Sequence, residues 1–203
     1  MSIRIITACS RPENLKQLYD SIRFEMIHTW YIVYDTSKAN WTKQFEGHPQ
    51  IIELECNTKG VCGHPQINHA LNLITEGYIY VLDDDNIIHS KFWKLVPLFD
   101  GENVYTFDQK RQNKNKILLG NNINRGFIDT SQFIVPYKLV DSVRWPEQER
   151  HGDYTFISAI KRNHPHNFKY IPGVASYWNY IKSVKSVGKS RMPPMVQKVL
   201  NKR

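Results

Sequence analysis

Hydrophobic and polar positions follow two alternating periods through the first half of this chain. Ile3 to Ala8 is an apolar run short enough for a buried strand. Ser10 to Glu13 has the spacing of a capping box, with Pro12 in the first turn, and predicts a helix. Leu15, Leu18, Ile22 and Met26 would form its apolar stripe. Trp30 to Tyr34 reads as a second strand ending at Asp35, and Ile51 to Leu54 as a third. A second helix, with Pro65 near its start, places Ile67, Ala70, Leu71 and Ile74 on one face. The run Tyr78-Ile79-Tyr80-Val81-Leu82 then predicts a fourth strand. Strands and helices in this order imply an α/β domain with a parallel sheet covered by helices.

The second half is less periodic. Asn103 to Asp108 reads as a strand, and Gln109 to Lys116 as a polar, basic turn. Phe133-Ile134-Val135 is a short strand closed by Pro136. Asp153 to Arg162 predicts a helix, and Phe168 to Ile171 and Ala175 to Tyr180 two further strands. No internal repeat is visible.

A chain of 203 residues with 41% apolar content suits one domain with a substantial core. No stretch approaches the roughly 18 apolar residues of a membrane span. The chain enters its first strand without a leader-like segment, so a cytoplasmic protein is expected. Cys9, Cys56 and Cys62 lack metal-ligand spacing and suit reduced thiols. The net charge of +8 is unevenly spread. Seven basic and no acidic residues lie in 182–203, which leaves about +1 for 1–181. The body is therefore nearly neutral, and 182–203 reads as a basic tail or linker.

Chemistry enters where the fourth strand should emerge, at Asp83-Asp84-Asp85. Ligands of open α/β sheets bind at the carboxyl ends of the strands. Three clustered carboxylates repel one another and are costly to desolvate without a counter-charge. A hard cation, Mn²⁺ or Mg²⁺, relieves both and leaves positions for phosphate oxygens. Asp83 and Asp85, two apart, are the candidate metal ligands, with Asp83 and Asp84 also placed to meet a metal-bound diphosphate. Three other loops should converge on the same edge. Thr7, Cys9 and Arg11 follow the first strand, and Asp35 ends the second. Gly60, Gly63, His64 and Asn68 surround the start of the second helix, whose amides suit an anion. Neither a dinucleotide fingerprint nor a P-loop is present.

This ordered set, above all Val81-Leu82-Asp83-Asp84-Asp85-Asn86, resembles the nucleotide-sugar half of a GT-A glycosyltransferase, in which a D-x-D motif holds Mn²⁺ or Mg²⁺ and the donor diphosphate. The resemblance covers about residues 3–180. It implies a Rossmann-like, mostly parallel sheet with a small mixed second half, divided into a nucleotide-sugar half at about 1–100 and an acceptor half at about 101–181. The compact size is similar to small glycosyltransferases encoded by large DNA viruses of algae, which would place the protein in a host cytoplasm. Gly126 to Pro136 resembles the family's acceptor-side segment, where Asp129 and Gln132 would meet the transferred sugar or the acceptor. His151-Gly152-Asp153 resembles the family's E-D element, with glycine in place of the first acid, and implies Asp153 as general base of an inverting hexosyltransferase; a retaining route, with Asp129 or Gln132 stabilising the sugar cation, stays open. A UDP-sugar donor and a hydroxyl acceptor, such as a glycan of a glycoprotein, are the implied partners.

Other features fit this scheme less tightly. Tyr177 and Trp178 suit stacking on a sugar or packing in the core. His164 and His166 suit a loop or a further metal ligand. Lys182, Lys185 and Lys189 would serve either as a lid over the diphosphate or as part of a solvated linker. A nucleic-acid binder using the tail with Lys110, Arg111, Lys114 and Lys116 is the main competing reading, but it leaves the triple aspartate unexplained. A nucleotidyltransferase would require a glycine- and lysine-rich loop after the first strand, where this chain has Arg11 and Pro12.

Overall fold

The computed structural model describes residues 2–37, 41–111 and 116–181. The elements run β1 (Ile3–Cys9), α1 (Leu15–Ser21), β2 (Thr29–Asp35), β3 (Ile51–Cys56), α2 (His64–Leu71), β4 (Tyr78–Val81), β5 (Ile87–Ile88) and α3 (Ser90–Leu95). They continue with β6 (Val104–Arg111), β7 (Ile117–Leu118), β8 (Phe133–Pro136), α4 (Tyr137–Val140), α5 (Gly152–Asn163) and β9 (Phe168–Trp178). One sheet joins them in the order β3-β2-β1-β4-β8-β6-β9-β5, with β7 on β6. The β3-β2-β1-β4 half is parallel, and antiparallel β8 links it to the parallel pair β6 and β9.

β1 and β2 are apolar almost throughout because both of their faces are covered. Ile5, Ile32 and Tyr80 pack on one side with Leu15, Leu18 and Phe92. Ile6, Val33 and Val81 pack on the other with Ile67, Leu71, Trp145 and Phe156. The parallel strands all end at one edge, so the segments after β1, β2 and β4 meet there.

Several expectations change in detail. The Ser10 capping box does not form. The Ser10 amide and hydroxyl both bond to Asp84 Oδ2, at 2.7 and 3.1 Å, so a carboxylate replaces the neutral cap. A 3₁₀ turn over Pro12–Asn14 precedes α1, with Arg11 before it and no side-chain cap. α1 stops at Ser21 because Ile22 turns extended, with ψ 135°; Ile22 and Met26 still pack on the same core. Gln109, Lys110 and Arg111 belong to β6 rather than to a turn. Phe168 to Trp178 is one strand, not two. Phe107 pairs with Ile171 and Asp108 with Val174, so Pro172 and Gly173 bulge out. Asp108 secures that bulge by accepting from the Gly173 amide at 2.9 Å and the Tyr170 hydroxyl at 2.7 Å.

Candidate active site

Asp84 anchors the strand-end edge. Its carboxylate accepts from the Ser10 and Arg11 amides and from the Arg11 guanidinium, while its carbonyl accepts from the Asn14 side chain at 2.8 Å. Arg11 also donates to Asp85 Oδ2 at 2.7 Å. Burial opposes the charge of Arg11, but the two carboxylates outweigh it and hold the guanidinium above its usual pKa. Part of the counter-charge that the acidic triplet demands is therefore supplied by the protein itself. Arg11 and Asp84 are bound to each other at the cleft wall.

The other two aspartates diverge. Asp85 Oδ2 faces Arg11 and, with the Asn179 amide in its bonding orientation, receives a donor at 2.7 Å. The Asp85 carbonyl accepts from the Tyr180 and Ile181 amides, which brings the chain after β9 back onto the triplet. Asp83 Oδ2 accepts from the Thr130 hydroxyl at 2.9 Å and the Asn86 amide at 3.4 Å. Each carboxylate has a second oxygen without a hydrogen-bond partner among the described residues. Burial raises the pKa of both. Asp129 and Asp153 raise that of Asp83 further, while Arg11 opposes the rise at Asp85.

A cleft of about 270 Å³ opens over this edge. Asp83, Asp84, Asp85, Cys9, Arg11, Asp35 and Gly63 line it, together with Ala8, Ser10, Cys62, Gln66, Trp178 and Asn179. Gly63 has φ +76°, and a Cβ there would lie 2.5 Å from that of Ala8, so the start of α2 sits directly against β1. The Cys9 thiol is buried, and burial followed by Asp84 pushes its pKa up, which makes it a poor nucleophile.

Four residues assigned to the nucleotide sugar are structural instead. Thr7 is fully buried, donating to the Leu82 carbonyl at 2.8 Å and accepting from Trp30 Nε1 at 2.9 Å. Gly60 makes room for Pro65 and the Glu147 carbonyl, with which a Cβ would collide at 2.3 and 2.8 Å. Asn68 holds the Trp145 backbone through two bonds, at 2.9 and 3.0 Å. His64 is buried with Nδ1 2.9 Å from the Pro146 carbonyl, and burial lowers its pKa. Gln132 is likewise corrected. Its Oε1 accepts from the Asp129 amide at 2.9 Å and its Nε2 faces the Phe107 and Leu118 carbonyls, so it closes a capping box rather than meeting a sugar.

Beside the cleft, Asp83, Asp129 and Asp153 form an acidic group drawn from three distant segments. The Thr130 hydroxyl and the Asn86 amide each reach both Asp83 and Asp129. Gln109 donates to Asp129 at 3.1 Å, while its own Oε1 is buried without a partner. Burial raises the Asp129 pKa against these donors. Asp153, in the first turn of α5, accepts from Trp145 Nε1 at 3.2 Å. Burial and the charge of Asp129 push its pKa up to about 8. Asn86, Thr130, Gln109 and Trp145 were given no role in the sequence reading because each is an ordinary residue type with no local signature of its partner.

The carboxylates suit a divalent cation in kind but not in number. No cluster of three or more His, Cys, Asp or Glu side chains able to hold a metal forms among the described residues. A cation here would take one or two carboxylates and complete its shell with phosphate oxygens and water, as magnesium-type sites do. His164 and His166, after α5, belong to no such cluster. Trp178 lines the cleft instead of packing in the core, with the Arg111 guanidinium 4.5 Å from its ring centroid. Lys114 and the basic residues of 182–203 lie outside the described residues.

The fold matches solved structures. TarS 1-349 from S. aureus superposes with a TM-score of 0.68 at 15% identity, over 87% of this chain and 60% of that one. The fold is of the GT-A type. The mannosyltransferase PcManGT from Pyrobaculum calidifontis, solved with GDP-Man and Mn²⁺, gives 0.60 at 13% identity over 98% of this chain and 68% of that one. Glucosyl-3-phosphoglycerate synthase from Mycobacterium tuberculosis, solved with Mn²⁺, UDP and glucosyl-3-phosphoglycerate, gives 0.61 at 11% identity over 92% and 75%. This chain thus spans less than two thirds of the length of TarS 1-349. No protein-family model and no curated protein sequence matches it. No helix among the described residues is long and apolar enough to cross a membrane.

Proposed function

We propose that the chain is a metal-dependent glycosyltransferase that moves a sugar from a nucleoside-diphosphate sugar to a hydroxyl acceptor. One observation carries this reading: the ends of β1, β2 and β4 and the start of α2 enclose a single cleft with Asp83 and Asp85 in its wall. The GT-A fold and the Mn²⁺-bound nucleotides of its structural neighbours support it. A glycan or glycoprotein acceptor and the kinship with algal-virus enzymes rest on the motif resemblance alone, and UDP as the nucleotide rests on that resemblance and on neighbours solved with UDP.

Asp85, through its oxygen turned away from Arg11, and Asp83 would hold the cation. When bound, such an ion neutralises the charge that develops on a leaving diphosphate. Asp35 at the end of β2 suits a ribose hydroxyl or a base N–H. Asp153 is the general base: one oxygen is fixed by Trp145, and the other would take the acceptor proton as the acceptor oxygen bonds to the sugar carbon. The bond from that carbon to the diphosphate oxygen breaks with its electron pair on the diphosphate, and configuration inverts. That Gln132 is locked into its capping box supports inversion over a retaining route through Gln132.

A panel of nucleotide sugars tests the proposal by thermal shift and donor hydrolysis, with and without Mn²⁺, on wild type and Asp85→Ala. Stabilisation and hydrolysis by one donor, dependent on Mn²⁺ and lost in the variant, are expected. Donor binding indifferent to metal, or no response to any donor, would overturn it.

A further inference from the structure

The cleft has a charge imbalance that the residues described so far do not resolve. Among the described residues, Asp83, Asp84 and Asp85 line it together with one cation, Arg11, and Arg11 is bound to Asp84 and Asp85. A divalent ion offsets part of the excess, but a diphosphate adds negative charge again. A further cation among the described residues stacks on a side chain that lines the cleft. Arg111, the last residue of β6, pairs in register with Trp178, a cleft-lining residue of β9, and rests its guanidinium on that indole. Side chains two apart on a strand share a face, so Arg111 projects on the same side as Gln109, about 7 Å further along. Gln109 is the residue that bonds to Asp129. Arg111 thus lies on the face of β6 that carries Gln109, and it pairs with no carboxylate among the described residues.

We infer that Arg111 is a phosphoryl-binding residue for the donor diphosphate, presented by Trp178. The inference rests on the proposed function and assigns a residue that the sequence motifs did not. A guanidinium stacked on an aromatic ring keeps its N–H edge directed outward and is weakly hydrated, which suits bidentate contact with phosphate oxygens. Trp178 is itself held in place. The Asn179 amide donates to Asn86 Oδ1 at 3.0 Å, and Trp178 Nε1 donates to the Asn179 side chain at 3.0 Å, in the orientation where that side chain also bonds to Asp85. The shelf for Arg111 is therefore tied to the candidate metal ligand through one asparagine. Lys110, the adjacent residue, projects from the opposite face of β6 and serves as a charge-matched control.

The test is calorimetric titration of Mn²⁺-pyrophosphate and Mn²⁺-UDP into wild type, Arg111→Gln, Arg111→Lys and Lys110→Gln, with melting of each free protein as a check on folding. Arg111→Gln is expected to weaken both complexes about tenfold or more and to flatten their salt dependence. Arg111→Lys should recover part of the loss, and Lys110→Gln should bind like wild type. Binding by Arg111→Gln within twofold of wild type overturns the inference, as does an equal loss in Lys110→Gln, which would indicate only a diffuse field. If wild type binds neither probe while Asp85→Ala behaves identically, the glycosyltransferase reading falls and takes the inference with it. Tight, Asp85-dependent binding that is indifferent to Arg111 removes the inference alone.

Discussion

The imidazole of His64 occupies the space into which a side chain at Gly152 would project: a Cβ on Gly152 would lie 2.4 Å from His64 Cε1. The glycine that interrupts the resemblance to an E-D element therefore has a steric cause. His64 opens α2, Gly152 opens α5, and their contact sets where Asp153 stands. Gly152→Glu, which restores the acidic pair in sequence, should destabilise the protein by about 1–3 kcal/mol through overpacking. His64→Ala, which removes the obstructing ring, should recover part of that loss in the double variant. Denaturant unfolding of the four proteins of this cycle measures the coupling; additive losses would remove the steric explanation.

The three consecutive aspartates should separate sharply on substitution. Asp84→Ala leaves the Ser10 and Arg11 amides without their acceptor and a half-buried guanidinium with Asp85 alone, and breaking such a buried pair costs about 3–5 kcal/mol. Asp85→Ala removes one Arg11 contact and relieves charge crowding, so its melting temperature should stay within a few degrees of wild type. Metal-dependent nucleotide binding should show the opposite order, lost in Asp85→Ala whether or not the fold is perturbed. Comparing melting curves with Mn²⁺-UDP titrations resolves the two roles. Equal destabilisation by both substitutions would contradict the assignment of Asp84 as the anchor.

Asp153 gives stability a pH dependence of defined sign. Its folded pKa, about 8, lies above the ordinary carboxyl value of 3.8, so the folded state binds the proton more tightly than the unfolded chain. The resulting stabilisation is complete below about pH 4 and is lost as pH rises towards 8. Asp153→Asn keeps an acceptor for Trp145 and discards the titration. Without metal or donor, it should melt above wild type at pH 8, by roughly 2 kcal/mol or about 4–8 °C, with the gap shrinking towards pH 5. The same variant should lose transfer activity at every pH. A constant offset in melting temperature across this range would show that the carboxyl is not proton-linked to folding.

These contrasts also mark what the sequence made legible. The strand-end positions of the triple aspartate and Asp35 and the turn at Gly63 were readable because strand ends and a positive-φ turn leave local signatures. The place of Asp153 was readable because a helix start is local too. The counter-charge role of Arg11 was not, since an arginine before a helix looks the same whether it meets a phosphate or a carboxylate 73 residues away. Thr7 and Asn68 were misassigned for a related reason: a polar residue near a ligand loop reads as a contact, yet Trp30, Leu82 and Trp145 claim their hydrogen bonds first. The single strand β9 was hidden by Pro172-Gly173, which resembles a break until Asp108 is seen securing the bulge from another strand.

Gly63 gives the last prediction, because its backbone and its surroundings penalise a side chain separately. Its φ of +76° is unfavourable for any residue with a Cβ, and that Cβ would also press on Ala8 at 2.5 Å. Gly101 has nearly the same backbone, φ +79°, but nothing within 4 Å of its Cβ position. Gly101→Ala should therefore cost only the conformational term, about 1 kcal/mol, and leave nucleotide binding unchanged. Gly63→Ala should cost that amount plus the contact, about 2–4 kcal/mol in all. It should also weaken Mn²⁺-UDP binding, since relief requires the start of α2 to move away from β1 across the cleft. Ala8→Gly should restore the contact portion and the binding but not the backbone portion. Equal costs for the two glycine substitutions would mean that α2 does not rest on β1 as closely as this geometry requires.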